Sequence, residues 1–221
     1  MAGIPKVGGD PTEPAAGRSP GEMAAHMARV AARLFADRGF DATSVREIVE
    51  AAGVTKPTLY YHFGSKQGLA EALLTRPMGE FVATLRGLVE RESDPVRMLR
   101  GLFATQIAFL AEEPDRGRFL YAICFGPQNS GLREEMHRFG EAMDGVTEAC
   151  ALRMAEAGVI DPGRVDACAQ VIRGLTMSST LDHILLGRPL ESNLADRLVV
   201  DLLRGFAAPG FVLDGEGEGE S

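Results

Sequence analysis

The chain has 221 residues, 45% of them apolar and 6% aromatic, with no tryptophan and a net charge of −8. That length allows one or two domains with a substantial core, and the negative balance excludes a protein coated in basic surface. No apolar run approaches the roughly 18 residues that span a bilayer, and "MAGIPKVGGDPTEPAAGRSPGE" lacks the uninterrupted hydrophobic region of a secretory signal.

Leu, Ala, Val, Met and Arg dominate and long β-branched runs are missing, which favours helix over sheet. Cys124, Cys150 and Cys168 are odd in number and widely spaced, with no Cys-x-x-Cys. They suit neither a disulfide framework nor a metal site, and read as small apolar residues in a reducing cytoplasm. Charge is unevenly distributed: residues 18–76 carry eight Arg/Lys against six Asp/Glu, while residues 77–221 carry 14 against 23. A mildly basic module therefore precedes an acidic body, which permits nucleic-acid binding through the first and disfavours it through the second.

Residues 1–20 are rich in Gly, Pro and Ala without periodicity and read as a flexible arm. "EMAAHMARVAARLFADRG" then places Met23, Met27, Val30, Ala31, Leu34 and Phe35 on one helical stripe that Gly39 stops. "TSVREIVEAAG" follows with Thr43 as its N-cap; Glu47 lies four residues on, so a capping box is not expected. "VTKPTLYYHFGSK" comes next, and Ser65 caps "KQGLAEALLTRPMGEFVATLRGLVERES", which Pro77 kinks or splits. Asp94-Pro95 opens a helix to about residue 113. A shorter helix over about 116–125 is broken by Gly126-Pro127, and a long one over about 130–157 is ended by Gly158. Asp161-Pro162 opens another, ending near Gly187, and a last helix covers about 191–207 before Pro209. The expected fold is all-α, with nine or ten helices. Its parts are the arm at 1–20, a helix-turn-helix unit at 21–66, a helical domain at 67–208 and a disordered acidic tail at 209–221.

The segment 54–66 holds two of the chain's three tyrosines and two of its three lysines. Read as the second half of a helix-turn-helix, it needs a left-handed turn at Gly53 and locks to its neighbour through Ile48, Val54, Leu59 and Phe63. At roughly 100° per residue, Leu59 and Phe63 share the inner face while Pro57, Thr58, Tyr60 and Tyr61 lie on the other. Thr55 is the N-cap and Pro57 sits harmlessly in the first turn. Thr58 and Tyr60 then reach base edges in a major groove. Lys56 meets a base or a phosphate, while Tyr61 and His62 suit phosphate oxygens. Lys66 and the free N–H groups behind the Ser65 cap present a charge to a phosphate, and Thr43 and Ser44 open the preceding helix in the same way. The competing reading is that Tyr-Tyr-His-Phe is ordinary packing in a helix-turn-helix that touches no DNA.

"AARLFADRGFDATSVREIVEAAGVTKPTLYYHFGSKQGLAEALL" resembles the DNA-binding module of TetR-type transcriptional regulators. The resemblance covers about residues 23–76 and rests on Phe35, Gly39-Phe40, Thr43, Ile48, Ala52-Gly53-Val54, "TLYYHF" and Ser65-Lys66. Val49 stands where such proteins carry alanine, Gly68 where they carry an acidic residue, and Pro77 comes early in the helix they use as a ligand relay. The resemblance implies a larger ligand-binding and dimerising domain, a homodimer on a palindromic double-stranded DNA operator, and release by a small molecule. A two-fold dimer must present its recognition helices about 34–36 Å apart.

The second half carries no catalytic constellation: Ser178-Ser179 and Asp182-His183 match no nucleophile elbow, and neither enzyme activity nor a cofactor is expected. Phe103, Gln106, Phe109, Tyr121, Phe125, Met136, Phe139, Met143 and Met177 offer walls for a largely apolar effector, or are simply core. The final two helices resemble the family's dimer-forming pair. Leu175, Leu181, Leu185, Leu198, Val199 and Leu202 either form that seam or are buried within one subunit.

Overall fold

A computed structural model describes residues 19–125 and 132–205. The expected arm before Ser19, the Gly126-Pro127 break and the acidic tail lie outside them. Ten α-helices and one 3-10 turn make up the described residues, with no strand among them. The helices are α1 Pro20–Arg38, α2 Val45–Ala52, α3 Lys56–Phe63, α4 Lys66–Leu73 and α5 Thr75–Arg91. They continue as α6 Pro95–Glu112, α7 Pro114–Phe125, α8 Arg133–Glu156, α9 Val165–Leu186 after the 3-10 turn Pro162–Arg164, and α10 Leu194–Arg204.

Local chemistry sets most boundaries. Ser19 accepts from the Glu22 N–H while the Glu22 carboxylate takes the Ser19 N–H, a reciprocal cap that starts α1 at Pro20, just inside the expected arm. Thr55 accepts from the Thr58 N–H, and Ser65 from Gly68. Pro77 occupies the first turn of α5, and the chain divides at Leu74 instead of bending through one long helix. The last helix starts later than expected, because the residues from Arg188 to Asn193 do not form a helix.

Asp94 accepts at 2.9 Å from the N–H groups of both Val96 and Arg97. The Arg97 bond, with that of Val96 and the nearby guanidinium, holds its carboxyl below the ordinary 3.8. A depressed folded pKa contributes stability above the unfolded value and loses it as pH falls through the folded one. Melting curves taken between about pH 5 and 2 are therefore expected to show an acid limb that is flatter in Asp94→Asn, which still caps the helix without a carboxyl. An unchanged limb would remove Asp94 from the acid response.

Two apolar cores form. The first joins Met27, Val30, Ala31 and Phe35 of α1 to Ile48, Leu59 and Leu69, then continues into Leu110, Phe119, Leu120, Leu132, Met136 and Ile184. It thus runs across the expected boundary at residue 66. Phe119 of α7 is wholly buried, with its ring centroid 4.9 Å from that of Phe35. The second core packs α5, α6, α8, α9 and α10 around Leu85, Leu99, Phe103, Cys150 and Ile172. Phe109 and Phe139 touch both. Cys150 is fully enclosed, and burial pushes its thiol up to about 12. All three cysteines are free thiols. None of the described helices is long and apolar enough to cross a membrane.

Candidate nucleic-acid interface

The helix-turn-helix forms as its spacing predicts. Gly53 ends α2 in the left-handed region (φ 63°, ψ 33°), and three residues separate α2 from α3. Leu59 is wholly buried, and Phe63 packs half-buried against the first core. The opposite side faces outward: Thr55, Lys56, Pro57, Tyr60 (47% exposed) and Tyr61 (82%) are exposed, and Thr58 and His62 half-buried. A helix of two turns has no stability of its own; Leu59, the Thr55 cap and the flanking α2 and α4 hold it. The Thr55 and Thr58 hydroxyls lie 2.8 Å apart and share a hydrogen bond, which fixes Thr58's rotamer. The Tyr61 and His62 rings meet edge-on at 5.1 Å.

Two expected phosphate contacts are placed differently. Thr43 does not cap α2: it is buried, and its hydroxyl donates to the Gly39 carbonyl at 2.8 Å. Ser44 is the cap, one residue later, which puts Glu47 at the third helical position and completes the capping box that counting from Thr43 excluded. The Glu47 carboxylate takes both the Ser44 N–H (2.7 Å) and its hydroxyl (2.8 Å), and Arg38 pairs with it at 2.9 Å. Those bonds, led by the Ser44 N–H, hold the Glu47 carboxyl below its ordinary value. Lys66 is the second case. Its ammonium donates to the carbonyls of Phe40 and Thr43, at 2.9 Å each, and stands 4.4 Å from the centre of the Phe40 ring. Both pairings are long-range in sequence, and no local pattern signals them. Between α3 and α4 the backbone runs so close that a Cβ on Gly68 would lie 2.1 Å from the Phe63 carbonyl oxygen.

The candidate ligand residues divide. Phe103 is wholly buried, and Gln106 is buried with its amide donating to the Leu102 carbonyl. Phe109 stacks on Phe81 with centroids 4.1 Å apart, Phe139 lies 6.4 Å from Phe81, and the Arg116 guanidinium covers Phe109 at 4.5 Å. Met136 belongs to the first core and Met143 flanks the second. Tyr121 shares a 3.3 Å hydrogen bond with Thr180 and stacks at 5.9 Å on Phe125, which is 69% exposed. Met177 is 42% exposed and belongs to neither core.

The dimer candidates need correction too. Leu198 and Val199 are buried in the second core of their own subunit, and Leu175 and Leu202 pack against it. Leu181 is half-buried and Leu185 is 55% exposed. The exposed large apolar residues of the last two helices are Val171, Met177, Leu185 and Leu186 on α9 and Val200 on α10. An apolar stripe on two sides of one helix hides which side is covered internally; of the six candidates, Leu185 alone is exposed.

The fold and this face define a helix-turn-helix protein with an all-helical body. The family model for bacterial regulatory proteins of the tetR family matches residues 29–73, so the amino-terminal helix-turn-helix unit is of that family's type. A curated relative, the HTH-type transcriptional repressor KstR2 of Mycobacterium tuberculosis, is 38% identical over 77 residues, which are 35% of this chain and 38% of that one. The match thus spans well under half of that relative's length. The solved structure of the ketosteroid transcriptional regulator KstR2 of Mycobacterium tuberculosis superimposes with a TM-score of 0.70 at 22% identity, covering 82% of this chain and 93% of that one. AibR, solved in complex with isovaleryl coenzyme A and operator DNA, gives 0.62 at 23% identity over 83% of this chain and 100% of its own. These two likenesses establish the fold of the body.

Proposed function

We propose that the protein is a cytoplasmic, dimeric, sequence-specific DNA-binding transcriptional regulator. It represses from a palindromic operator and leaves it when a small, largely apolar ligand binds the helical body. The observation that carries this reading is the outward face of α3: exposed Thr55, Lys56, Pro57, Tyr60 and Tyr61 with half-buried Thr58, backed by wholly buried Leu59. Hydroxyls and aromatic edges on a helix this firmly backed match major-groove readout, where Thr58 and Tyr60 meet bases. Tyr61, His62 and Lys56 meet phosphates, and Lys56 is the exposed cation at the head of the helix. With Thr43 turned inward, the start of α2 offers Ser44 to the DNA backbone, beside the Arg38–Glu47 pair.

The exposed apolar residues of α9 support a second copy as the covering partner, and the apolar junction around Phe81, Phe109 and Phe139 supports a hydrophobic effector. The isovaleryl coenzyme A bound by AibR makes acyl-CoA thioesters the first class to screen.

Selection of duplexes from a random pool, followed by mobility shifts, tests the reading. Lys56→Ala is expected to weaken binding uniformly across sequences and to lower the salt slope by about one. Tyr61→Ala should also weaken binding uniformly. Thr58→Ala should relax base preference at one position in each half-site, costing about 1–3 kcal/mol. Unchanged affinity in all three variants removes the assignment of this face. A selected duplex that every acyl-CoA leaves bound would favour the second reading, a constitutive DNA-binding module without an effector.

A further inference from the structure

We propose that Lys66 is a positioning residue for the reading helix, a strut between the first turn of α4 and the loop that leads into α2. The frame around α3 has two sides, α2 and α4, and each contacts it. Lys66 is the first residue of α4, immediately after the Ser65 cap. A cation there is opposed by the positive end of the helix dipole, so its ammonium gains by reaching carbonyl oxygens elsewhere. It finds those of Phe40 and Thr43, 26 and 23 residues back in the chain, both at 2.9 Å. The Phe40 ring lies under it at 4.4 Å and is itself buried edge-on against Phe35 at 5.3 Å.

The loop that receives Lys66 is closed from within as well. The Thr43 N–H donates to the Phe40 carbonyl at 3.3 Å, and the Thr43 hydroxyl to that of Gly39 at 2.8 Å. The next residue, Ser44, is the cap that sets where α2 begins. One ammonium therefore ties the start of α4 to the start of α2, with α3 between them. Loss of the strut frees the loop, lets α2 and α4 part, and leaves α3 with its cap and Leu59 but without a fixed angle to the rest of the face. A lysine committed to two carbonyls and a ring adds no unit to the count of neutralised phosphates, whereas a phosphate ligand does.

The effect on the reading helix rests on the DNA-binding reading; the strut itself does not. Lys66→Met, Lys66→Gln and Lys66→Arg are compared with wild type by thermal unfolding, by hydrogen exchange over residues 39–47, and by the salt dependence of binding to a duplex that wild type selects from a random pool. The expected result for Lys66→Met is a melting temperature lower by several degrees and lost exchange protection in 39–47. Its DNA affinity should be down about tenfold with the salt slope unchanged. Lys66→Gln, with one donor left, should fall between and stays measurable if Lys66→Met does not fold; Lys66→Arg should recover most of the protection. A slope lower by about one with melting and exchange unchanged overturns the proposal and makes Lys66 a phosphate ligand. Unchanged melting and exchange overturn it whatever the DNA does. Should wild type select no duplex, the DNA-binding reading fails, and melting and exchange still decide the strut.

Discussion

Phe119→Ala is expected to unfold the amino-terminal unit together with the body, at a cost of about 3–5 kcal/mol and a fall in Tm of roughly 10 °C. The reason is where the ring sits. Phe119 is wholly buried, tilted against Phe35 at 4.9 Å, in a core that also contains Ile48, Leu59 and Leu69. Its removal leaves a cavity whose walls come from α1 on one side and α7 on the other, two helices that cannot close on it without moving the whole body. The exposed Arg118–Asp37 pair bridges the same two helices at 3.0 Å and will not compensate, since surface pairs contribute little. Calorimetry checks the claim: a single transition moving down as one unit is expected. Two separated transitions, with only the later one shifted, would mean that α1 to α4 fold on their own.

A charge at Leu185 is expected to give a monomer that still folds. The residue is 55% exposed on α9, on the same side as exposed Val171 and Ser178 and neighbouring exposed Leu186, while the inner side of that helix buries Ile172, Thr176 and Thr180. Leu185→Glu therefore leaves the second core intact and places a carboxylate where a two-fold mate would bury a leucine. Sedimentation velocity should show the mass of one chain with Tm little changed apart from loss of the partner. Because each half-site then binds without its tethered mate, operator affinity should fall by about 10²-fold or more. A Leu185→Glu protein that sediments as a dimer would move the interface elsewhere. Leu198→Glu makes the contrast, since that side chain belongs to the second core and its replacement should unfold the chain.

What could be read from the sequence was what neighbouring residues decide. Gly39, Gly53 and Gly187 end helices at positive φ, and Thr55, Ser65 and Asp94 cap them, each through contacts within a few positions. The inner stripe of α1 and the outer face of α3 followed from a 3.6-residue period. The misplaced residues depend on distant partners or on small register choices. Thr43 and Ser44 are both good caps, and only the inward pull of the Gly39 carbonyl puts the second in that role. Lys66 looked like a surface charge because its carbonyl partners lie 23 and 26 residues away. Leu198 and Val199 differ from Val200 by one or two positions, yet the first two are buried in their own subunit and the third is exposed.

The crowding at Gly68 limits how this protein can be re-engineered. Exchange of reading modules between relatives is an obvious route to regulators with new operator preferences. A donor segment bringing any side chain to position 68 would press on the Phe63 carbonyl, which sits 2.1 Å from where its first carbon must go. The recognition helix ends at that carbonyl, so relief would come by re-aiming it. A hybrid spliced before residue 68 keeps the host's glycine and avoids the problem, whereas one spliced beyond it imports a tilt along with the new specificity.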